Sequence, residues 1–258
     1  MKLAFILWSR KETIDSCKFA FYNWQYLAKQ LDCDFFIATQ KPLKSSDWCS
    51  DFDFFFYEKS DWKSEWQQVV SKLKENGIVN LISVLDDFYL KNYDINALSG
   101  LIKFCTDSQV KYLSFQSYPK YSLFDKSLKN NDEIDEIDFE LPYRSNLQVS
   151  LWQLDYFEEI LSKSKNIWDF ENISDSEIKH LYVKNRIINY FHFIEKERLN
   201  YNLLRLPASD IYRLLAKHHM SLNYMNYFAL PKLALVNLLI YLLGVKGYQT
   251  LKERLRLR

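Results

Sequence analysis

Residues Ile78–Leu90 read IVNLISVLDDFYL, and this stretch decides the fold. The run IVNLISVL is aliphatic and β-branched, broken only by Asn80 and Ser83, and carries no charge. Such a composition belongs to a strand buried on both faces, as in a parallel sheet covered by helices. Two carboxylates, Asp86 and Asp87, follow directly. Charged groups are costly to bury unless something binds them. The carboxyl ends of strands in open α/β sheets are also where ligands sit. The same two acids could instead cap the turn or helix that follows.

Working outward, Leu3–Trp8 reads as a first strand, Asp34–Ala38 (DFFIA) as a second, Asp51–Tyr57 (DFDFFFY) as a third and Lys111–Gln116 as a later one. Helical spacing marks Thr13–Leu31, Asp61–Asn76 and Ile95–Cys105, with Gly77 placed to stop the second. Strands alternating with helices over about the first 116 residues predict an α/β sheet with crossover helices. The block Asp132–Glu140, with six acids in nine residues, reads as a solvated loop.

Composition narrows the function. The chain has 258 residues, 48% of them hydrophobic and 17% aromatic, enough for a large core. Four glycines, at 77, 100, 244 and 247, leave no room for a dinucleotide fingerprint or a phosphate loop. Cys17, Cys33, Cys49 and Cys105 have neither Cys-x-x-Cys spacing nor a histidine cluster beside them, so a zinc site or disulfide framework is not expected. His180, His192, His218 and His219 show no metal spacing either; His192 is expected to pack with Phe191 and Phe193. The N-terminal MKLAFILWSRKE reads as a strand and not as a signal peptide, and a cytoplasmic location is expected.

Charge is uneven. The formal net charge is +1, yet residues 201–258 carry nine Lys and Arg against two acids. Within this segment, Leu233–Val245 is thirteen uncharged residues followed by Lys246, Lys252, Arg254, Arg256 and Arg258. Thirteen residues are too few to span a bilayer, which takes about 20. An apolar helix with a basic tail fits an in-plane anchor on an anionic membrane surface, or else a buried helix or oligomer contact. The apolar run argues against nucleic acid as the partner.

Further on, YRSNLQVSLW (143–152) reads as a strand, LDYFEEIL as a helix and IWDFE (167–171) as an aromatic turn. Strand phase would put Arg144 and Gln148 on one face, able to bind a diphosphate or an acceptor, or simply to meet water. A strand ending in LDDFYL, followed by YRSNLQVSLWQLDYFEEIL and IWDFE, resembles bacterial GT-A-type glycosyltransferases of surface-polysaccharide (lipopolysaccharide or capsule) assembly. RIINYFHFIEKERLN resembles a stretch that follows this motif in the same proteins. The chain departs from the pattern in having Asp86-Asp87 where Asp-x-Asp is usual, and Lys196, Glu197 and Arg198 where Gly-Lys-Trp is usual.

The resemblance covers roughly residues 1–200. It implies a GT-A-like, mostly parallel central sheet with flanking helices, divided into a nucleotide-sugar half (1–118) and an acceptor half (119–200); residues 201–258 lie beyond it and read as a helical C-terminal appendage. It implies inverting, metal-assisted transfer of a sugar from a nucleotide-diphosphate donor to a glycan or glycolipid acceptor, at the inner face of the cell membrane. In that reading Asp87 holds Mn2+ or Mg2+, Asp86 belongs to the catalytic set and contacts the donor's sugar or ribose, and Ser9, Arg10 and Arg144 bind the donor. Gln148, Trp152 and Trp168 face the acceptor. Glu171 is the general base, its carboxyl kept protonatable by Trp168 and Phe170. Asp155 is the rival base, although its place at a helix start gives it a capping role. A non-catalytic α/β binding or scaffold module with a helical interaction tail would use the same acids only as caps.

Overall fold

The computed structural model describes residues 2–9, 14–40, 47–86, 88–115, 134–137, 144–173, 178–184 and 187–192. The chain divides into two compact units: one of residues 1–86, 90–117 and 132–189, the other of 87–89, 118–131 and 190–258. The first contains the sheet. In the second, among the described residues, the Phe88 and Tyr190 rings meet edge to face with centroids 4.8 Å apart.

In chain order the elements are β1 (Leu3–Trp8), α1 (Ile14–Gln30), β2 (Asp34–Gln40), a 3-10 turn (Asp47–Asp51), β3 (Asp53–Tyr57), α2 (Trp62–Glu75), β4 (Asn80–Leu85) and β5 (Phe88–Tyr93). After these come α3 (Ile95–Asp107), β6 (Tyr112–Ser114), β7 (Ile134–Glu136), β8 (Ser150–Gln153), α4 (Leu154–Lys163), α5 (Ile167–Asn172), β9 (His180–Val183) and β10 (Ile188–His192). Eight strands form one mixed sheet in the order β3-β2-β1-β4-β8-β6-β9-β7, and β5 pairs with β10 in a two-stranded ribbon. β3, β2, β1 and β4 are mutually parallel, with Phe5 opposite Phe35 on one side and Ile82 on the other. β8 runs antiparallel between β4 and β6, while β9 is parallel to β6 and β7 antiparallel to β9.

Burial explains the uncharged strands. Ala4 to Leu7 of β1, and Leu81, Ile82 and Val84 of β4, are fully buried. β1 ends on Trp8, whose ring stacks on Tyr57 at 4.4 Å and on Trp66 of α2 at 4.3 Å, fixing the strand end against its covering helix. α2 starts at Asp61, which caps the Ser64 N–H, and buries Trp66, Val69, Val70 and Leu73 at helical spacing. α3 starts on Asp94, whose side chain accepts from the N–H groups of Asn96 and Ala97.

Several expectations change. Ile78–Leu90 is not one strand: β4 stops at Leu85 and β5 begins at Phe88, because Asp86 turns the chain out of the ladder. Of YRSNLQVSLW only Ser150–Trp152 belongs to a strand, which runs on to Gln153; Arg144–Val149 is a loop, buried but without a ladder. IWDFE is a short helix, α5, capped by the Asn166 side chain on the N–H groups of Trp168 and Asp169. The acidic block contains the strand β7, since Asp135 and Glu136 pair with Lys184 and Lys179 on or beside β9. Arg10, Asp87, the side chain of His192, and the whole tail from 201 lie outside the described residues. No helix among the described residues is long and apolar enough to cross a membrane.

Gly77 follows α2 at φ 72°, and a Cβ there would meet nothing within 4 Å. Gln109 takes the same backbone form after α3 at φ 52° with a side chain that disfavours it. Gly77→Ala should therefore cost about 1 kcal/mol through backbone strain alone, whereas Gln109→Gly should gain up to about 1 kcal/mol. Urea unfolding at unchanged m-value reads both, and a loss in each would refute the assignment.

Candidate active site

The strand order sets where a site can form. From β1 the chain crosses by α1 to β2 on one side, then returns from β3 by α2 to β4 on the other. The carboxyl ends of β1 and β4 thus flank the point where the order reverses, which in open α/β sheets opens a crevice. Ser9 and Asp86 stand there. The Ser9 N–H donates to the Ala38 carbonyl at 2.9 Å, and the Asp86 N–H donates to the Trp8 carbonyl at 3.0 Å, so the two backbones are held by their neighbouring strands. The Ser9 hydroxyl donates to Asp86 Oδ2 at 2.9 Å. Ser9 is fully buried and Asp86 half-buried, so one carboxylate is presented at the edge on a fixed support.

Register brings a second group to the same edge. Ser150 of antiparallel β8 sits opposite Ser83 of β4 and Ser114 of β6, so the residues before Ser150 run past the carboxyl ends of both strands. That segment is the Arg144–Val149 loop. The Phe115 N–H donates to the Val149 carbonyl at 3.1 Å, and the Ser83 hydroxyl to the Gln148 carbonyl at 3.2 Å. At the loop's start, the Ser145 N–H donates to the carbonyl of Glu171 at 3.4 Å. Glu171 is half-buried on α5, and burial pushes its carboxyl up from 4.5 to about 7. Burial also pushes the Tyr112 phenol up to about 12, and the Glu171 charge adds to that rise.

The expected residues fall into three groups. Ser9 and Asp86 stand at the carboxyl ends of β1 and β4, and the end of the 144–149 loop runs past the ends of β4 and β6, while Glu171 is joined to the loop's start through the Ser145 N–H. Arg144 is 2% exposed and donates through Nη2 to the Ile137 carbonyl at 3.4 Å; it ties the loop to the residue after β7 and is not one face of a strand. Trp152 is not an acceptor platform. Its indole is fully buried against Tyr112, Phe157 and Phe170, because residue 152 of β8 points into the core under α4 and α5. Phe170 is also in that core, whereas Trp168 is 64% exposed. Gln148 is half-buried. Asp155 does not cap α4, whose N-cap is Gln153; it is 80% exposed and pairs with Lys74 at 3.0 Å.

Sequence reasoning passed over His180, Tyr156, Tyr112 and Ser83, which hold the loop from β9, α4, β6 and β4. Each is an ordinary residue in an ordinary strand or helix pattern, and only pairing across the sheet gives it a partner. Burial holds the Cys33 thiol up at about 11 and the Cys105 thiol up at about 12, so neither is a thiolate near neutrality. No cluster of three His, Cys, Asp or Glu side chains occurs among the described residues.

No protein-family model and no curated protein sequence matches this chain. Similar solved structures include apo UDP-glucose pyrophosphorylase, at 13% identity and a TM-score of 0.47 over 74% of this chain and 93% of that one. S. aureus TarS 1-349 in complex with UDP-GlcNAc aligns at 10% identity and a TM-score of 0.44 over 91% and 71% of the respective chains. A cytidylyltransferase from Leptospira borgpetersenii serovar Hardjo-bovis aligns at 12% identity and 0.45 over 88% and 99%. Likenesses at this level assign no function, and the functional reading rests on the residues of the site.

A raised carboxyl destabilises the fold as it ionises. Below its ordinary value of 4.5 Glu171 is protonated in both states; above about 7 it is charged in both, and the folded state bears the desolvation cost. Glu171→Gln should thus add about 1–3 kcal/mol of stability at pH 8 and much less at pH 4.5, with the gain developing between those two values. Denaturant melts across that range test the sign; a gain independent of pH would mean that the carboxyl is not buried by its surroundings.

Proposed function

We propose that the chain is a nucleotide-sugar-dependent glycosyltransferase, transferring a sugar from a nucleotide-diphosphate donor to a lipid-linked or lipopolysaccharide or capsule acceptor with inversion. The observation that carries this reading is the Ser9–Asp86 hydrogen bond at the β1/β4 crossover, together with a half-buried carboxyl raised to about 7 on the helix tied to the 144–149 loop. The first group suits the donor and the second the acceptor.

In this mechanism the acceptor hydroxyl attacks the anomeric carbon while the bond to the diphosphate oxygen breaks. Glu171 takes the hydroxyl proton; a carboxyl that titrates at about 7 is about half ionised at neutral pH and more basic than an ordinary carboxylate. Asp86, oriented by the Ser9 hydroxyl, hydrogen-bonds the donor's sugar or ribose. Arg10 is assigned to the donor by its place after β1; Arg144, buried and tied to the Ile137 carbonyl, would act on the donor only through its charge. Trp168 offers an exposed ring for stacking on the acceptor sugar, with Gln148 beside the loop. Asp87 would hold a divalent cation, whose remaining ligands would come from diphosphate and water. Such an ion neutralises the charge of the leaving diphosphate. The basic C-terminal tail is assigned to an anionic membrane surface on the cytoplasmic side.

Two measurements test the division of labour. Asp86→Asn and Asp87→Asn should weaken binding of a nucleotide sugar in a thermal-shift titration with Mn2+ or Mg2+, and should lower turnover. Glu171→Gln should keep donor binding while transfer falls by about 10² to 10⁴. Transfer by Glu171→Gln at the wild-type rate would remove the base assignment. For the tail, Arg254, Arg256 and Arg258 changed together to Gln should reduce sedimentation with anionic liposomes most at low salt, where the Debye length is about 30 Å at 0.01 M. Sedimentation equal to wild type would assign the tail elsewhere.

A further inference from the structure

The Arg144–Val149 loop lies in the interior without a strand partner, so its backbone groups need others. His180 of β9 is fully buried, with Nδ1 3.2 Å from the Arg144 carbonyl oxygen and Nε2 2.6 Å from the Tyr156 hydroxyl on α4. A carbonyl only accepts. Nδ1 must then carry the proton, which leaves Nε2 as acceptor for the Tyr156 O–H. Two residues on, the Asn146 N–H donates to the Tyr112 phenol oxygen at 3.3 Å. Between these ties sits Ser145, whose N–H reaches the Glu171 carbonyl.

We propose that His180, set in one tautomer by the Arg144 carbonyl, is a positioning residue for Glu171: it fixes that carbonyl, and so the Ser145 amide to which α5 is attached. The inference rests on Glu171 being the base. It is a separate claim from that assignment, because the clamp exists in the protein whether or not sugar is transferred. A loop held this way keeps water from the Glu171 carboxyl as well as holding its helix end, so loosening it has both a dynamic and a titration signature.

The two ring nitrogens can be separated by substitution. His180→Asn keeps a donor near the Nδ1 position and loses the Tyr156 bond, while His180→Gln keeps a group near Nε2 and loses the Arg144 bond. In the full chain, His180→Gln should speed amide exchange in the peptide covering 144–149, and should lower the Glu171 midpoint, read by carboxyl 13C NMR, from about 7 toward its ordinary 4.5. His180→Asn should leave both close to wild type. In transfer assays His180→Gln should lower kcat by about tenfold to a hundredfold with the donor KM unchanged, and His180→Asn should restore it. If His180→Gln does not fold, His180→Met carries the test in the same direction, since it fills the buried site without an Nδ1–H for the Arg144 carbonyl.

Equal exchange and equal Glu171 midpoints in His180→Gln, His180→Asn and wild type would overturn the clamp. Wild-type transfer by Glu171→Gln would overturn the base, and with it the part His180 plays in transfer. A slow Glu171→Gln enzyme with an unchanged His180→Gln one would overturn this inference alone.

Discussion

A strand covered on both faces has no place for charge along its length, and this constraint governs where function can lie in the protein. β1 and β4 are neighbours in register, and their middle residues are shielded from water on both sides. A carboxylate is tolerable only where the ladder stops. Asp86 is at that point, and its backbone amide still belongs to the ladder while its side chain has left it. The Ser9 hydroxyl then restrains a group that would otherwise swing freely in solvent. Ladder and site are thus one hydrogen-bonded object, and a shift of β1 against β4 by one residue would dismantle both.

The second half of the site obeys a different economy. Arg144–Val149 gains nothing from a ladder, and its polar backbone is satisfied by single bonds from separate elements. Such an arrangement is specific, because each bond depends on a particular side chain, and brittle, because a lost partner leaves a buried group unsatisfied. It also explains why the loop's polar residues are buried: they serve the fold, while Asp86 and Glu171 are half-buried and Trp168 is exposed.

How much of this is legible without coordinates depends on the range of the interaction concerned. β1, α2 and β4 follow from local periodicity and from Asp61 and Gly77 at the ends of α2, and the acids after β4 mark the strand's end. The break before β5 is not legible, because IVNLISVLDDFYL is apolar on both sides of Asp86 and only the partner strands decide where pairing changes. β7 and β9 are three and four residues long, and their charges meet across the pair, so neither has a signal in its own neighbourhood. Trp152 shows the limit for the site. A tryptophan in a strand beside a candidate base reads equally well as a sugar platform or as core, and the parity of β8 settles it.

The placement of β8 bears on the order in which the protein can assemble. β4 ends at residue 85 and its neighbour β8 begins at 150, so β4 has an open edge until 65 further residues have been made. β6 has the same difficulty, since it reaches the first four strands only through β8. The parallel quartet is therefore free to collapse early, while the remaining half waits for one short antiparallel strand to be inserted. Long-range closure of this kind is slow and leaves an apolar edge exposed in the meantime. On the ribosome the β3-β2-β1-β4 side of the sheet would exist before the other, and β8 is the strand whose arrival converts two partial sheets into one.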